Sequence, residues 1–464
     1  MTPYEPNVSR FEGSKAERLE RAIAADIADG VLEHGRKLPT HRDLAHTLGM
    51  TAGTISRAYI RLARRGLISS EVGRGTFVQR KPFTGLRTEL GTPQDEMESS
   101  IDLAVNRQPS PEVQRLLADA FQSLSTNPRV LSLMTYQPDT GTGGHREAFA
   151  DWLADEKLVV HPGDLVVTAG ALHAIYVVLK AFTRPGDIVL TEEFTYAGFK
   201  ALASELQLRI EPVAMDEHGL IPESLEERAA QSGAKWLYFM PGLHNPTAAV
   251  MPEERRQAVL AIAERHGLML IEDGVYAFVH DHALPPVASL ARERTFYVSS
   301  LSKSVAPGLR AGCVAAPPQH ASRVAAVIRR SMWMTPPLGL EIAAQWIRDG
   351  DIKRLISLQR NEFRERRAIA ETMLEGMAFR APAAPAFIWL ELPERVRSHD
   401  IVAIAEEQGV SLAPTDAFAT KRSDPDRYLR ISLNSCRSIA ELSTGLSVVA
   451  NAARGSLSRA EYYY

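Results

Sequence analysis

From Ile101 onward, short apolar runs of strand length alternate with amphipathic stretches of helix length, and no other feature constrains the chain as much. The runs are Leu165–Thr168, Ile188–Thr191, Trp236–Met240, Met269–Glu272 and Thr295–Ser299. Such short strands bury themselves only as a sheet covered by the intervening helices. The pattern therefore predicts an α/β domain around a mostly parallel sheet. At 464 residues the chain exceeds one ordinary core, so two or three domains are expected. Its 45% hydrophobic and 23% charged residues supply enough apolar material for them. No internal repeat is visible.

The first eighty residues read differently. Leu19, Ile23 and Ile27 recur every four positions, which predicts an amphipathic helix between Ala16 and Ile27. Thr40 is placed to cap a short second helix carrying Leu44, Ala45 and Leu48, which Gly49 ends. Thr51 is placed to cap a third helix reaching about Arg65. Two helices joined by a short glycine-containing turn fit a helix-turn-helix. Beyond Gly66, Leu67–Ser69 and Thr76–Val78 flank Glu71-Val72-Gly73-Arg74-Gly75 and predict a β-hairpin. From His41 to Arg80 there are seven arginines, no lysine and two acids. One arginine is ordinary on a solvated helix face. Seven around a helix-turn-helix and a hairpin supply phosphate attraction and counterion release, so this region is expected to bind DNA.

Residues 81–100 lack an apolar period and contain Pro82, Gly85, Gly91 and Pro93, so they read as a linker. Fully extended, it would span roughly 65 Å. The formal net charge of −3 excludes little, because a basic domain can sit inside a mildly acidic total. Cys313 and Cys436 are the only cysteines, far apart, which argues against a disulfide scaffold or a zinc site. The N-terminus is polar from Glu5 onward and does not read as a signal peptide. The most apolar stretch, Leu165 to Leu179, is too short and too mixed to span a bilayer. A cytoplasmic protein without membrane contact is the expectation.

In the large domain, Ser299-Ser300-Leu301-Ser302-Lys303 is followed by Pro307-Gly308 and Arg310. A lysine after a strand, among small hydroxyls, suits a Schiff base with an aldehyde cofactor, although alone such a string is also an ordinary surface lysine. Ser300, Ser302 and Arg310 could hold a phosphate. Asp273, at the end of an apolar run, could pair with a pyridinium nitrogen, with Tyr276 near the ring hydroxyl. Asn245-Pro246-Thr247 could serve the same oxygen, or be simple turn chemistry. Gly170 and Ala171 open a helix whose free amides would suit a phosphate. Tyr196 could stack on a ring or be core. The glycines at Gly141–Gly144 lack nucleotide-loop spacing. His280-Asp281-His282 reads as a polar loop, since no further ligand pattern accompanies it, and no metal is expected.

Two resemblances connect these residues. Leu38 to Val78 (LPTHRDLAHTLGMTAGTISRAYIRLARRGLISSEVGRGTFV) is similar to the winged helix-turn-helix of the GntR superfamily. It implies DNA-facing roles for Thr40, Arg42, Thr51, Thr54, Ser56, Arg57 and Arg74. It departs at Ala52-Gly53, where many members carry arginine. The chain from Ile101 to about Ala453 resembles a fold type I aminotransferase, a pyridoxal 5'-phosphate enzyme. By that resemblance, Lys303 holds the cofactor covalently and Asp273 pairs with its nitrogen. Asn245 and Tyr276 bond the ring hydroxyl, and Tyr196 stacks. Gly170, Ala171, Ser300, Ser302 and Arg310 hold the phosphate. Arg430 clamps a substrate carboxylate, and Tyr136 reaches the partner subunit's phosphate. Departures are Ala248, where glycine is usual after Asn-Pro-Thr, and His173, where glutamine or glycine is common.

A GntR-type reader fused to an aminotransferase-like domain is the layout of the MocR family of regulators. The implied plan is a winged helix at 9–80, a linker at 81–100, the cofactor domain at 101–453 and a tail at 454–464. The family's large domain senses cofactor and an amino-acid or amine ligand rather than serving metabolism, and pairs head to tail as a homodimer on double-stranded operator DNA. The other reading is a true aminotransferase carrying a DNA-binding appendage, since the cofactor residues look complete.

Overall fold

The computed structural model describes residues 4, 6–11, 14–28, 31–32, 36–64, 67–71, 75–78, 101–106, 111–280, 284–394, 396–421 and 427–462. The expected linker, the hairpin tip with Arg74, and Asp281 and His282 lie outside them. The chain divides into two compact units, Met1–Thr84 and Gly85–Tyr464.

In the smaller unit, helices Lys15–Ala28, His41–Leu48 and Ala52–Arg64 enclose Leu19, Ile23, Leu44, Ile55 and Leu62. Thr40 caps the second helix as expected. Its Oγ1 accepts from Asp43 N at 3.2 Å and donates to Asp43 Oδ2 at 2.6 Å, so two groups satisfy each other. Strands Ile68–Glu71 and Gly75–Val78 pair antiparallel, with Ile68 opposite Val78. Three helices and this hairpin make the winged helix-turn-helix.

The larger unit is built on a seven-stranded sheet. Its order is Leu165–Thr168, Gly312–Ala315, Thr295–Ser300, Met269–Asp273, Trp236–Phe239, Ile188–Glu192 and Arg209–Val213. Only Gly312–Ala315 opposes its neighbours; the other pairings are parallel. The mostly parallel expectation thus acquires one reversed strand. Both faces are covered, which explains why the strands read as continuous apolar runs. Val166, Tyr238, Ile271, Phe296 and Val314 face one core. Leu165, Val167, Tyr297 and Cys313 pack in a second, and Leu190, Leu237, Phe239 and Leu270 in a third. Gly312 lies between Thr168 and Ser300, and a Cβ there would stand 2.9 Å from Gly170 Cα. Only glycine lets the reversed strand pass that close.

A smaller antiparallel sheet, ordered Phe379–Arg380, Phe387–Glu391, Tyr428–Ser432 and Ala413–Pro414, forms the second layer with its own core of Leu103, Ile388, Leu390, Leu429 and Leu446. Ile101–Asp102 pairs parallel with Val410–Ser411 and so joins the start of the unit to this layer. Among the described residues no helix is long and apolar enough to cross a membrane.

Candidate functional site

In a sheet of this kind a ligand site lies beyond the carboxyl ends of the parallel strands. Asp273 is the last residue of its strand and Ser300 of its neighbour, while Gly170, Tyr196 and Asn245 lie in the loops beyond three more. The buried Asp273 carboxylate accepts from Tyr238 OH at 2.8 Å and from Val275 N at 3.1 Å. Burial, then the adjacent Asp273, pushes the Tyr238 hydroxyl well above its ordinary pKa, so it stays a donor.

Ser300 caps the turn Leu301–Ser304; its Oγ accepts from Ser302 N at 3.1 Å and lies 2.9 Å from Ser302 Oγ. The turn presents Lys303, whose Nζ donates to Asn106 O at 3.0 Å. Arg310, in the left-handed region at φ 49°, is exposed and donates from Nη2 to Ala169 O. Gly170 caps helix Ala171–Phe182 at φ 90°. A Cβ on Gly170 would meet Arg310 Nη2 at 2.8 Å, so the guanidinium presses on the bare helix N-terminus. The amides of this helix start and the adjacent Arg310 guanidinium are donors suited to an anion, with the Ser300 and Ser302 hydroxyls at the turn that follows strand Thr295–Ser300.

Arg430 comes from the smaller sheet. It is only 2% exposed, lies 4.9 Å over the Phe418 ring, and donates to Asn245 Oδ1 at 3.2 Å and to Ala104 O. Tyr276 OH accepts from Asn106 Nδ2 at 2.7 Å. Tyr196 caps helix Ala197–Glu205 with its ring over Gly198. Tyr136 shares no hydrogen bond or ring contact with these residues; it is 80% exposed against Trp333. Ala248, at a position where glycine is usual, sits at φ 55°, so the departure carries backbone strain.

A family model described as aminotransferase class I and II matches residues 98–449. The chain belongs to the aminotransferase class I and II family. A second model, bacterial regulatory proteins of the gntR family, matches residues 15–78, so the fusion has the MocR layout. The chain is 28% identical over 453 residues, 96% of each chain, to an uncharacterized HTH-type transcriptional regulator of Bacillus subtilis, YdeF. It is 28% identical over 381 residues to the HTH-type pyridoxine biosynthesis transcriptional regulator PdxR of Corynebacterium glutamicum, covering 81% of this chain and 80% of that one. The crystal structure of an archaeal alanine:glyoxylate aminotransferase superposes with a TM-score of 0.72 at 26% identity, covering 81% and 94% of the two chains.

Pyridoxal phosphate is the cofactor of this aminotransferase family, and the site fits it. The cradle that a Cβ on Gly170 would fill has the donors a phosphate needs, a buried carboxylate ends strand Met269–Asp273, and a lysine follows the strand paired with it, Thr295–Ser300.

Two residues of the site went unnoticed in the sequence, and the part played by a third was not read. Tyr238 was hidden in an apolar strand. Asn106 follows a run of small apolar residues and reaches Tyr276 across 170 positions. His173 was noted only as a departure. Its Nδ1 accepts from Ala169 N at 3.0 Å, and burial, then the charge of Arg310, lowers its pKa to about 4. The imidazole is neutral, with its proton on Nε2.

On the winged helix, Arg42, Thr51 and Arg57 are exposed and Ser56 is half-buried. Thr54 is not on that face. It is 6% exposed, its hydroxyl 2.9 Å from that of Thr51, so it packs the helix start inward. Arg61 is exposed but pairs with Glu17 at 3.2 Å and Glu20 at 3.6 Å.

Proposed function

We propose that the chain is a transcription regulator that binds double-stranded operator DNA through its winged helix and senses pyridoxal phosphate, an amino-acid or amine effector, or both through its aminotransferase-like domain. The observation that carries this reading is the coexistence, in one chain, of a gntR-family domain and an aminotransferase class I and II domain. The names of relatives matched along nearly the whole chain support a regulator over a metabolic aminotransferase with an appendage.

In this reading the boundaries are 9–80, 81–100, 101–453 and 454–464, and the protein is cytoplasmic. Bound cofactor supplies an aldehyde that captures amines and a ring that accepts electrons. Lys303 would hold it, and Asp273, fixed by Tyr238 and Val275 N, would pair with its ring nitrogen. Tyr276 and Asn245 would serve the ring hydroxyl, and Tyr196 would stack on the ring. Gly170, Ala171, Ser300, Ser302 and Arg310 bind the phosphate. Arg430 binds an effector carboxylate. Tyr136, exposed on this chain, extends toward the second copy of a head-to-tail homodimer. Thr40, Arg42, Thr51, Ser56, Arg57 and Arg74 serve DNA, with Thr54 bracing Thr51. Such a dimer would match two half-sites.

The test is footprinting of the full-length protein on DNA upstream of its own gene, with and without pyridoxal phosphate. A protected site whose affinity or extent changes with the cofactor is expected. Sustained amino transfer to a keto acid without any protected site would favour the enzyme reading.

A further inference from the structure

Residues Ala104 to Asn106 thread between the arginine clamp and the lysine. Ala104 O accepts from Arg430 Nη2, and Asn106 O accepts from Lys303 Nζ at 3.0 Å. The segment is anchored from behind. Asp102 Oδ1 accepts from Ala104 N at 2.8 Å and Val105 N at 3.2 Å, and Ser432 N donates to Leu103 O at 2.8 Å. Backbone bonds and Asp102 thus place the strap, and the Asn106 side chain is not needed for that.

That side chain is nevertheless buried, with Asn106 only 5% exposed. Its Nδ2 donates to Tyr276 OH at 2.7 Å, while its Oδ1 is buried with no hydrogen-bond partner among the described residues. The orientation agrees with the role given to Tyr276. A hydroxyl that spends its proton on the cofactor ring oxygen has lone pairs left to accept the amide N–H. A buried acceptor left open beside a ligand site calls for a donor that arrives with the ligand.

We propose that Asn106 is a specificity residue of the effector site, its Oδ1 accepting a hydrogen bond from an O–H or N–H group that an amino carboxylate carries besides its α-amino group. The inference rests on the sensor reading above. Because Asn106 lies between the carboxylate clamp and the lysine, the donor belongs close to the α-carbon, as a β-hydroxyl or β-amine. An apolar β-substituent leaves Oδ1 desolvated and is disfavoured.

The experiment is spectral titration of the cofactor-loaded full-length protein with L-serine and L-alanine, which differ by one hydroxyl. The wild type should respond to serine at about tenfold lower concentration than to alanine. Asn106→Ala should bring the two midpoints together while keeping the cofactor band. Asn106→Leu, which fills the space without polar atoms, carries the same test if the alanine variant folds poorly. An unchanged serine-to-alanine ratio in a variant that keeps the band overturns the role of Asn106 alone, as does loss of the band in both variants, which would make Asn106 a cofactor-binding residue. A wild type with no cofactor band overturns the sensor reading and this inference with it; a band that responds to neither amino acid overturns this inference alone.

Discussion

Arg430 Nη1 donates to Asn245 Oδ1 across 3.2 Å, joining the smaller antiparallel sheet to the loop beyond a strand of the large one. The two residues are 185 positions apart. If Arg430 is the carboxylate clamp proposed above, the bond would hold its guanidinium in place before the carboxylate arrives, leaving little side-chain entropy to be lost on binding. Arg430→Ala should weaken the spectral response to amino acids by about a hundredfold, the scale of a charge-assisted bidentate pair, and leave the cofactor band in place. Titration with alanine reads this directly; an unchanged midpoint would remove Arg430 from the carboxylate site.

Lys303→Ala should abolish covalent retention of the cofactor. After borohydride reduction and denaturation, wild-type protein should carry the label on the peptide containing residue 303, and the variant should carry none. Label at another lysine would refute the assignment.

Tyr238→Phe should destabilise the larger unit by about 1–2 kcal/mol, because Asp273 loses a buried charge-assisted hydrogen bond. Cofactor affinity should fall as well, since Asp273 then loses one of the hydrogen bonds that fix its carboxylate. Urea unfolding and cofactor titration check the two effects separately.

The buried Glu156 carboxyl predicts a pH dependence. Burial raises its pKa to about 8, against the opposing hydrogen bonds from Tyr297 and Ser299. A raised acid favours the protonated folded form. Its stabilisation is full below the unfolded pKa and is lost as pH rises through about 8. Between pH ~5 and ~9 the wild type should therefore lose stability, and Glu156→Gln should flatten the loss by about 2 kcal/mol. Parallel urea curves for wild type and variant would contradict it. Glu192 and Glu272, both raised to about 7 by burial, act in the same sense.

On DNA, Arg57→Ala should reduce the slope of log affinity against log salt by about 0.9 for one lost phosphate contact. Arg61→Ala should change it by less, because Glu17 and Glu20 already engage that guanidinium. Affinities of the full-length variants across a salt series decide between equal and unequal roles for the two arginines.

Much of the site was legible because its groups mark strand ends and helix starts. Asp273, Ser300, Lys303 and Gly170 each follow an apolar run, and a chain that leaves a parallel sheet at its carboxyl edge delivers such residues to one place. Thr54 shows where local reading failed. It lies on the arginine-rich helix, yet the helical turn of about 100° per residue carries it inward beside Ile55 and Ala58, which are buried. Tyr238 and Asn106 had no local mark at all, one being an aromatic in an apolar strand and the other an asparagine in a loop.

The amino-acid sequence by itself determined what depends on neighbours along the chain. These are the caps at Thr40 and Gly49, the strand and helix periods, the concentration of arginine before residue 80, and the motif around Lys303. Tertiary structure alone decided what depends on residues far apart. It reversed Gly312–Ala315 within the sheet, set Arg430 against Asn245, joined Tyr238 to Asp273, and threaded Asn106 between Lys303 and Tyr276. Periodicity and capping are properties of a few consecutive residues. A hydrogen bond across 170 or more positions depends on where whole layers pack, and no short stretch of sequence carries that information.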